Sequence, residues 1–282
     1  MSVTVRGAIE QSGLVPVDAR ALLSHVLSRD RAWLIAHAGD ALDRAQADAF
    51  FALAKRRREG EPVAYLVGRR EFWGLSFEVS PAVLIPRPET EALVEAALLR
   101  LPADRALRVL DLGTGSGAIA IAIATERPLA QVTATDVSSE ALEVARANAV
   151  RLGAANVTFV EGDWYDGLDG GRYDGILSNP PYVAVDDPHL REGDLRFEPR
   201  LALAPRLGAL SALASIAAGA RQRLVDDGVL VVEHGYDQAD AVVALFERCG
   251  FVDVHSLRDL AGVHRVVAGR RGPESAGSGL HG

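Results

Sequence analysis

One stretch constrains the fold of this chain more than any other. It comprises the apolar run Arg108-Val109-Leu110-Asp111, the turn Leu112-Gly113-Thr114-Gly115-Ser116-Gly117, and the apolar helical stretch from Ala118 to Thr125. A strand that passes through a glycine-dense turn into a helix opens a crossover unit, and such units build parallel sheets. Further strands are read at Gln131 to Thr135, Val157 to Val160, Tyr173 to Ser178 and Val229 to Val232, alternating with helical segments. The last two apolar runs, Phe251 to Leu257 and Val263 to Ala268, are joined through Asp259-Leu260-Ala261-Gly262, too short for a crossover helix. They are therefore expected to pair antiparallel. The expected fold is α/β: a seven-stranded, mostly parallel sheet with helices on both faces and an antiparallel last hairpin.

The strand ends carry the chemistry. Glycines let a ligand approach the backbone of the turn, and the helix N-terminus favours a carboxylate. The spacing is Asp-x-Gly-x-Gly-x-Gly, not the Gly-x-Gly-x-x-Gly of a dinucleotide site. It resembles the pattern of S-adenosylmethionine methyltransferases, where the methionine part of the donor lies over the turn. The second strand ends in Asp136, twenty-five positions after Asp111, where a carboxylate can accept both ribose hydroxyl hydrogens. The third ends in Glu161-Gly162-Asp163-Trp164, offering Asp163 to an adenine amino group and Trp164 to the ring. Taken singly, an Asp after a strand commonly caps a helix and a lone Trp commonly packs in a core. Three consecutive strands ending in matching chemistry favour the cofactor reading.

The fourth strand runs into Asn179-Pro180-Pro181-Tyr182, a claw for a planar NH2 group. The Asn179 side-chain oxygen and the Pro180 carbonyl can each accept one N–H hydrogen, and Tyr182 can lie against the flat face of the group. Asn179, Pro180 and Tyr182 are the candidate catalytic residues, and Asn179 to Tyr182 the candidate substrate contacts. The chemistry they suit is alkylation of a poor nitrogen nucleophile, either a side-chain amide or the amino group of a flipped adenine.

Composition bears on that choice. The chain has 282 residues, 49% of them hydrophobic, and a net charge of −8, enough for one large domain with a real core and a small second one. Residues 1–60 hold nine basic and seven acidic side chains, leaving −10 on the remainder. The only dense basic run, Lys55-Arg56-Arg57-Arg58, reads as a solvated helix end favoured by the macrodipole. A duplex-binding enzyme needs a wider basic stripe, and no target-recognition insert is evident, so the adenine enzyme is the second choice. A single cysteine, Cys249, excludes an internal disulfide, and the seven histidines show no metal-ligand spacing. No metal is expected. His189, in the loop past the claw, reads as a surface residue. With no leader-like segment and no apolar run of membrane length, a cytoplasmic location is expected.

Helical spacing dominates up to about residue 58. Ala19, Leu22, Leu23, Val26 and Leu27 form one packing stripe, and Phe50, Phe51, Leu53 and Ala54 another. After Gly60-Glu61-Pro62, the alternation Phe72, Trp73, Leu75, Phe77, Val79 and the run Val83-Leu84-Ile85 predict a hairpin bridging two domains. Pro86-Arg87-Pro88-Glu89 then opens a helix through Leu93, Val94, Ala97, Leu98 and Leu101. The tail from Gly272 is Gly/Ser-rich and expected to be disordered. The expected organisation is a helical domain at 1–60, a β-hairpin linker at 61–85, a catalytic domain at 86–271 and a tail at 272–282.

Nearly the whole chain resembles one family, the protein-(glutamine-N5) methyltransferases that modify peptide-chain release factors, known as PrmC or HemK. The segments that carry this are Gly60 to Leu66, Glu71-Phe72-Trp73, Leu84-Ile85-Pro86-Arg87-Pro88-Glu89-Thr90-Glu91, the turn from Asp111 to Ala118, Gly162-Asp163-Trp164, the claw, Arg196-Phe197-Glu198-Pro199 and Glu233-His234-Gly235. The claw alone is shared with adenine-N6 methyltransferases; the other segments together are far more specific. The resemblance implies a class I methyltransferase fold with S-adenosylmethionine as cofactor and an N-terminal helical domain that docks the release factor. The glutamine of the factor's Gly-Gly-Gln loop would enter the claw. By position, Gly113, Thr114, Gly115, Ser116, Gly117, Asp136, Asp163, Trp164 and Asn179 would hold the donor, and Asn179 to Tyr182 the glutamine. No nucleic-acid or membrane partner is expected, and the free enzyme is expected to be a monomer. Removing residues 1–60 is expected to spare donor binding. His264 stands where many relatives carry an acidic residue, and its distance from the claw in sequence gives it little expected bearing on activity.

Overall fold

The computed structural model describes residues 3–204, 208 and 210–272, apart from the side chains of His189 and Arg191. The surface reading of His189 and the disordered tail expected beyond Gly272 lie outside the described residues.

The N-terminal part is built by local signals. Helices α1 (Val5–Gln11), α2 (Pro16–Leu27), α3 (Arg31–Ala36) and α4 (Arg44–Arg58) follow in turn. Pro16 opens α2 without forfeiting a hydrogen bond. Asp30 caps α3, accepting the Trp33 N–H at 2.8 Å. Asp43 and Gln46 form a reciprocal capping box on α4 at 2.8 and 3.1 Å. Ala19, Leu22 and Leu23 of α2 are fully buried with Phe50 of α4. A fifth helix, α5 (Val63–Val67), adds Leu66 to the same core. Sequence reading missed α5, because five residues are too few to show a helical period.

The basic run at the end of α4 is largely exposed, as expected, but its arginines are paired. Arg56 pairs with Glu61, and Arg58 donates to the Ser12 carbonyl. Arg57 reaches two carboxylates at once, Asp18 through Nε and Asp194 through NH1, each at 2.7 Å. Helix-end arginines of this length find acceptors on neighbouring segments, which macrodipole reasoning about one helix does not anticipate.

The hairpin also differs from expectation. Strands β1 (Arg69–Phe72) and β2 (Leu75–Glu78) pair antiparallel through a two-residue turn, where Trp73 and Gly74 both have positive φ, 52° and 66°, as a type I′ hairpin turn requires. Glu91 holds Trp73 there by accepting its backbone N–H at 2.8 Å. Val83-Leu84-Ile85 is not a strand. Its backbone groups are taken by side chains instead: the Val83 carbonyl accepts the Tyr65 hydroxyl at 2.7 Å, and the Ile85 N–H donates to Glu198 at 3.1 Å.

A 3₁₀ turn at Pro88–Thr90 leads into α6 (Glu91–Leu98). The main unit then runs β3 (Arg108–Leu112), α7 (Ala118–Glu126), β4 (Gln131–Asp136), α8 (Ser139–Leu152), β5 (Val157–Glu161) and β6 (Tyr173–Ser178). After α9 (Arg200–Leu203) and α10 (Ser211–Arg223) come β7 (Leu224–Glu233), α11 (Ala239–Arg248), β8 (Phe251–Arg258) and β9 (His264–Arg271). The sheet has seven strands in the order β5-β4-β3-β6-β7-β9-β8, parallel except that β9 runs antiparallel to both its neighbours. Side chains alternate between two cores. Val109, Val229 and Val231 face α6 and α7, while Leu110, Leu230 and Val232 face α10 and α11. Strand order reverses between β3 and β6, which opens a crevice at the carboxyl ends of β3, β4 and β6.

Candidate functional site

The glycine turn leaves β3 at that crevice. The N–H groups of Gly113 and Thr114 both donate to the Thr135 carbonyl at 2.9 Å, tying the turn to β4. Gly117 has a φ of 83°, a conformation that side chains rarely adopt, and a Cβ there would also be crowded, 3.0 Å from Ile121 Cδ1 and 3.3 Å from Ala145 Cβ, where α7 meets α8. Gly115 lines the crevice, and a Cβ there would meet no protein atom within 4 Å. Asp136, at the tip of β4, accepts the Gly115 N–H at 2.9 Å with Oδ2 and the Ser138 N–H at 3.0 Å with Oδ1. It therefore shapes the turn and the entry to α8 together. Burial raises its pKa, against the pull of these backbone donors.

The crevice encloses about 330 Å³, within the usual span of small-molecule sites. Gly113, Gly115, Asp136, Asp163, Trp164, Asn179 and Pro181 all line it. The other candidate residues, Thr114, Ser116, Gly117, Pro180 and Tyr182, do not line it. Thr114 is buried and donates to Asp111 at 2.6 Å. Ser116 is buried, and its carbonyl accepts from Asn148 at 3.0 Å. Pro180 is buried. Tyr182 donates its hydroxyl to Glu233 at 3.0 Å, and its carbonyl accepts from Gln238 at 3.1 Å. Asn179 spans both zones, lining the crevice while its Nδ2 donates to Thr90 Oγ1 at 3.1 Å.

Several contributors were not among the candidates. Asp111, quoted above only as the start of a pattern, is fully buried behind the turn, and burial pushes its pKa up to about 7. Asn148 of α8 holds β2 and the turn together, accepting the Glu78 N–H at 2.7 Å and donating to the Glu78 carbonyl at 2.9 Å. Val137, Ser138, Ala141 and Gly162 also line the crevice, as do two more distant segments, Ala82-Val83-Leu84 and Pro199 to Ala202. The second of these segments is anchored by Glu198, whose fully buried carboxylate pairs with Arg87 and accepts the Ile85 N–H. Their only sequence signal was membership of the Ile-Pro-Arg-Pro and Arg-Phe-Glu-Pro segments. Glu198→Ala strands a mostly covered guanidinium and a backbone donor. It should cost about 2 kcal/mol, read as a lower midpoint of urea unfolding. An unchanged midpoint would mean that the pair does not anchor the wall.

The space above Gly115, the carboxylate at Asp136 and the indole of Trp164 fit S-adenosylmethionine: an amino acid over the turn, a ribose diol and an adenine ring. Residues 7–68 match the PrmC N-terminal domain, and residues 90–191 match the Methyltransferase small domain. A release factor glutamine methyltransferase of Bordetella pertussis is 53% identical over 94% of this chain and 98% of its own length. The chain belongs to the release factor glutamine methyltransferase family. A second member of the family, from Xylella fastidiosa, is 55% identical over 90% of this chain and 92% of its own. A solved methyltransferase from Pyrococcus furiosus shares the fold, with a TM-score of 0.56 at 20% identity over 78% of this chain and 98% of that one.

His264 opens β9, where it pairs with Arg258 of β8. Register pairs Glu233 with Val266, and the His234 N–H donates to the Arg265 carbonyl at 2.9 Å. His264 Nδ1 lies 2.7 Å from Ser256 Oγ, and its charge bears on His234.

Proposed function

We propose that the protein transfers a methyl group from S-adenosylmethionine to the side-chain amide nitrogen of the glutamine in the Gly-Gly-Gln loop of peptide-chain release factors. The observation that carries this reading is the meeting of Asn179 with Gly115 and Asp136 in one crevice, in a chain 53% identical to a release factor glutamine methyltransferase. Gly113, Gly115, Asp136, Asp163 and Trp164 hold the donor, which supplies a methyl group on a positively charged sulfur. Asn179 Oδ1 and the Pro180 carbonyl accept the two N–H hydrogens of the glutamine, and Tyr182 packs against the amide plane.

An amide nitrogen is a weak nucleophile because its lone pair is delocalised into the carbonyl. Two acceptors fixed in place raise its electron density and aim it, so the chain contributes alignment and polarisation. The methylated nitrogen is acidic and loses its extra proton to water, so the site needs no strong base. His234, buried and with its pKa lowered by desolvation, is not required to act as one.

In this reading residues 1–60 dock the factor, the hairpin region links the two parts, and the enzyme works as a cytoplasmic monomer without nucleic acid. Among the described residues no helix is long and apolar enough to cross a membrane. Tritium transfer from labelled donor to a whole release factor, to a short peptide bearing the loop and to unmethylated DNA tests the reading. Label should enter the glutamine of the factor, more slowly that of the peptide, and not DNA. Label in DNA but not in the glutamine would replace this reading with the adenine enzyme.

A further inference from the structure

The claw has little main chain to hold it. Pro180 and Pro181 bring no N–H group, so the segment after β6 cannot be fixed by a run of backbone donors. Side chains from the turn between β7 and α11 take that part. Glu233, at the end of β7, is 1% exposed, and its Oε1 accepts the Tyr182 hydroxyl at 3.0 Å. Gln238, the residue before α11, donates from Nε2 to the Tyr182 carbonyl at 3.1 Å. Tyr182 is thus held at both ends by one turn, across 51 and 56 positions of sequence.

That turn is itself set in place. The His234 N–H donates to the Arg265 carbonyl on β9 at 2.9 Å, and its buried ring places Nδ1 2.7 Å from the Gly235 carbonyl. The Gly235 N–H donates to Gln238 Oε1 at 2.9 Å, and the Gln238 N–H returns to the Gly235 carbonyl at 3.0 Å. A Cβ on Gly235 would stand 3.0 Å from Gln238 Cδ, so glycine gives the carboxamide room to lie against the turn. Donor inventory leaves that carboxamide one orientation. A backbone N–H only donates and a carbonyl only accepts, so Oε1 must face Gly235 and Nε2 must face Tyr182. Neither link to Tyr182 passes through a third side chain.

A phenol O–H lies in the plane of its ring, because the oxygen lone pair is conjugated with it. An acceptor fixed on one side therefore sets the tilt of the ring as well as the place of its tip, and the carbonyl contact fixes the end where the chain leaves the claw. Glu233 and Gln238 do not line the donor crevice, and the mechanism above gives them no part. We propose that Glu233 and Gln238 are positioning residues that hold the ring of Tyr182 flat against the amide plane of the incoming glutamine. The inference rests on the proposed glutamine reading of the claw.

The test measures kcat and KM for a release factor, kcat/KM for a short peptide bearing the loop, and donor affinity by calorimetry, all in full-length protein. Burial pushes the Glu233 carboxyl up to about 7, so the assays are run well above that, with the carboxylate ionised. Tyr182→Phe keeps the ring and removes only the hydroxyl link. It should lower kcat by about 10-fold, a modest share of what misalignment of reacting groups can cost, with the KM for the factor and the donor affinity hardly moved. The peptide should show the same fractional loss, because the effect is local to the amide. Glu233→Ala should match Tyr182→Phe, and Glu233→Gln, which still offers an oxygen to the hydroxyl, should keep most of the parent kcat. The Tyr182→Phe/Glu233→Ala pair should lose no more than either single change, because both break one link. Gln238→Ala, which breaks the other, should also lower kcat by about 10-fold. A Tyr182→Phe or Gln238→Ala protein at the parent kcat would overturn the proposal. So would full additivity in the pair, a Glu233→Gln protein as impaired as Glu233→Ala, or a loss seen with the factor and not with the peptide; Tyr182→Phe and Gln238→Ala decide even where Glu233→Ala does not fold. Wild-type protein that labels no glutamine at all would instead defeat the functional reading on which the proposal stands.

Discussion

Asn179→Ala should lower turnover on a release factor by about 10² or more, by analogy with removing one oriented polar group from a transition-state site. In the proposed mechanism Asn179 supplies one of the two acceptors for an N–H group whose charge changes during transfer, so its contribution is largest when the nitrogen attacks. It also lines the donor crevice, but Gly115 and Asp136 are separate contacts there, and donor affinity should fall far less than turnover. Single-turnover rates at saturating donor and factor isolate the effect. A variant that methylates at near the parent rate would show that the claw is not the catalytic element.

Gly115→Arg should abolish measurable donor binding. The space beyond the Gly115 Cα is open, so the arginine side chain would extend into the crevice and not into packed protein. The backbone there has φ of 54°, so a side chain also adds strain of about 1 kcal/mol. Asp136→Ala should be milder, weakening binding by about 1.5–3 kcal/mol, the scale of a charged hydrogen-bond partner. Part of that loss comes from the Gly115 N–H, which is left without its acceptor. Calorimetric titration with S-adenosylmethionine checks both. Equal affinities in the parent and the two variants would remove the donor from this crevice.

What the sequence disclosed and what it hid divide along the length scale of each interaction. The unit from Arg108 to Thr125 was readable because its glycine spacing, its strand and its helix are contiguous. Asp136 and Asn179 were readable because each follows its own strand directly. The partners behind them were not. Tyr182 meets Glu233 across 51 positions, Asn179 meets Thr90 across 89, and Glu198 meets Ile85 across 113. No local period records such pairings, since the fold alone sets which strand ends become neighbours. The same limit explains Val83-Leu84-Ile85, whose apolar run is strand-like but whose backbone groups are taken by Tyr65 and Glu198. It also explains the arginines of α4, whose acceptors lie on other segments.

Arg57 complicates the plainest way of dissecting this enzyme. Its guanidinium joins Asp18 of α2 to Asp194, and the neighbouring Glu59 carbonyl receives Arg196 from the same 3₁₀ turn, Gly193–Phe197. Directly after that turn come Glu198 and the segment from Pro199 to Ala202 that walls the donor crevice. Cutting the chain after residue 60 would therefore discard two fasteners of the crevice wall along with the proposed docking module. A truncated protein that fails to methylate could not attribute the failure to lost docking, contrary to what the sequence led one to expect. Single substitutions at exposed side chains such as Val17 and Ile35 leave those fasteners in place, and they are the cleaner genetic instrument for mapping where the factor sits.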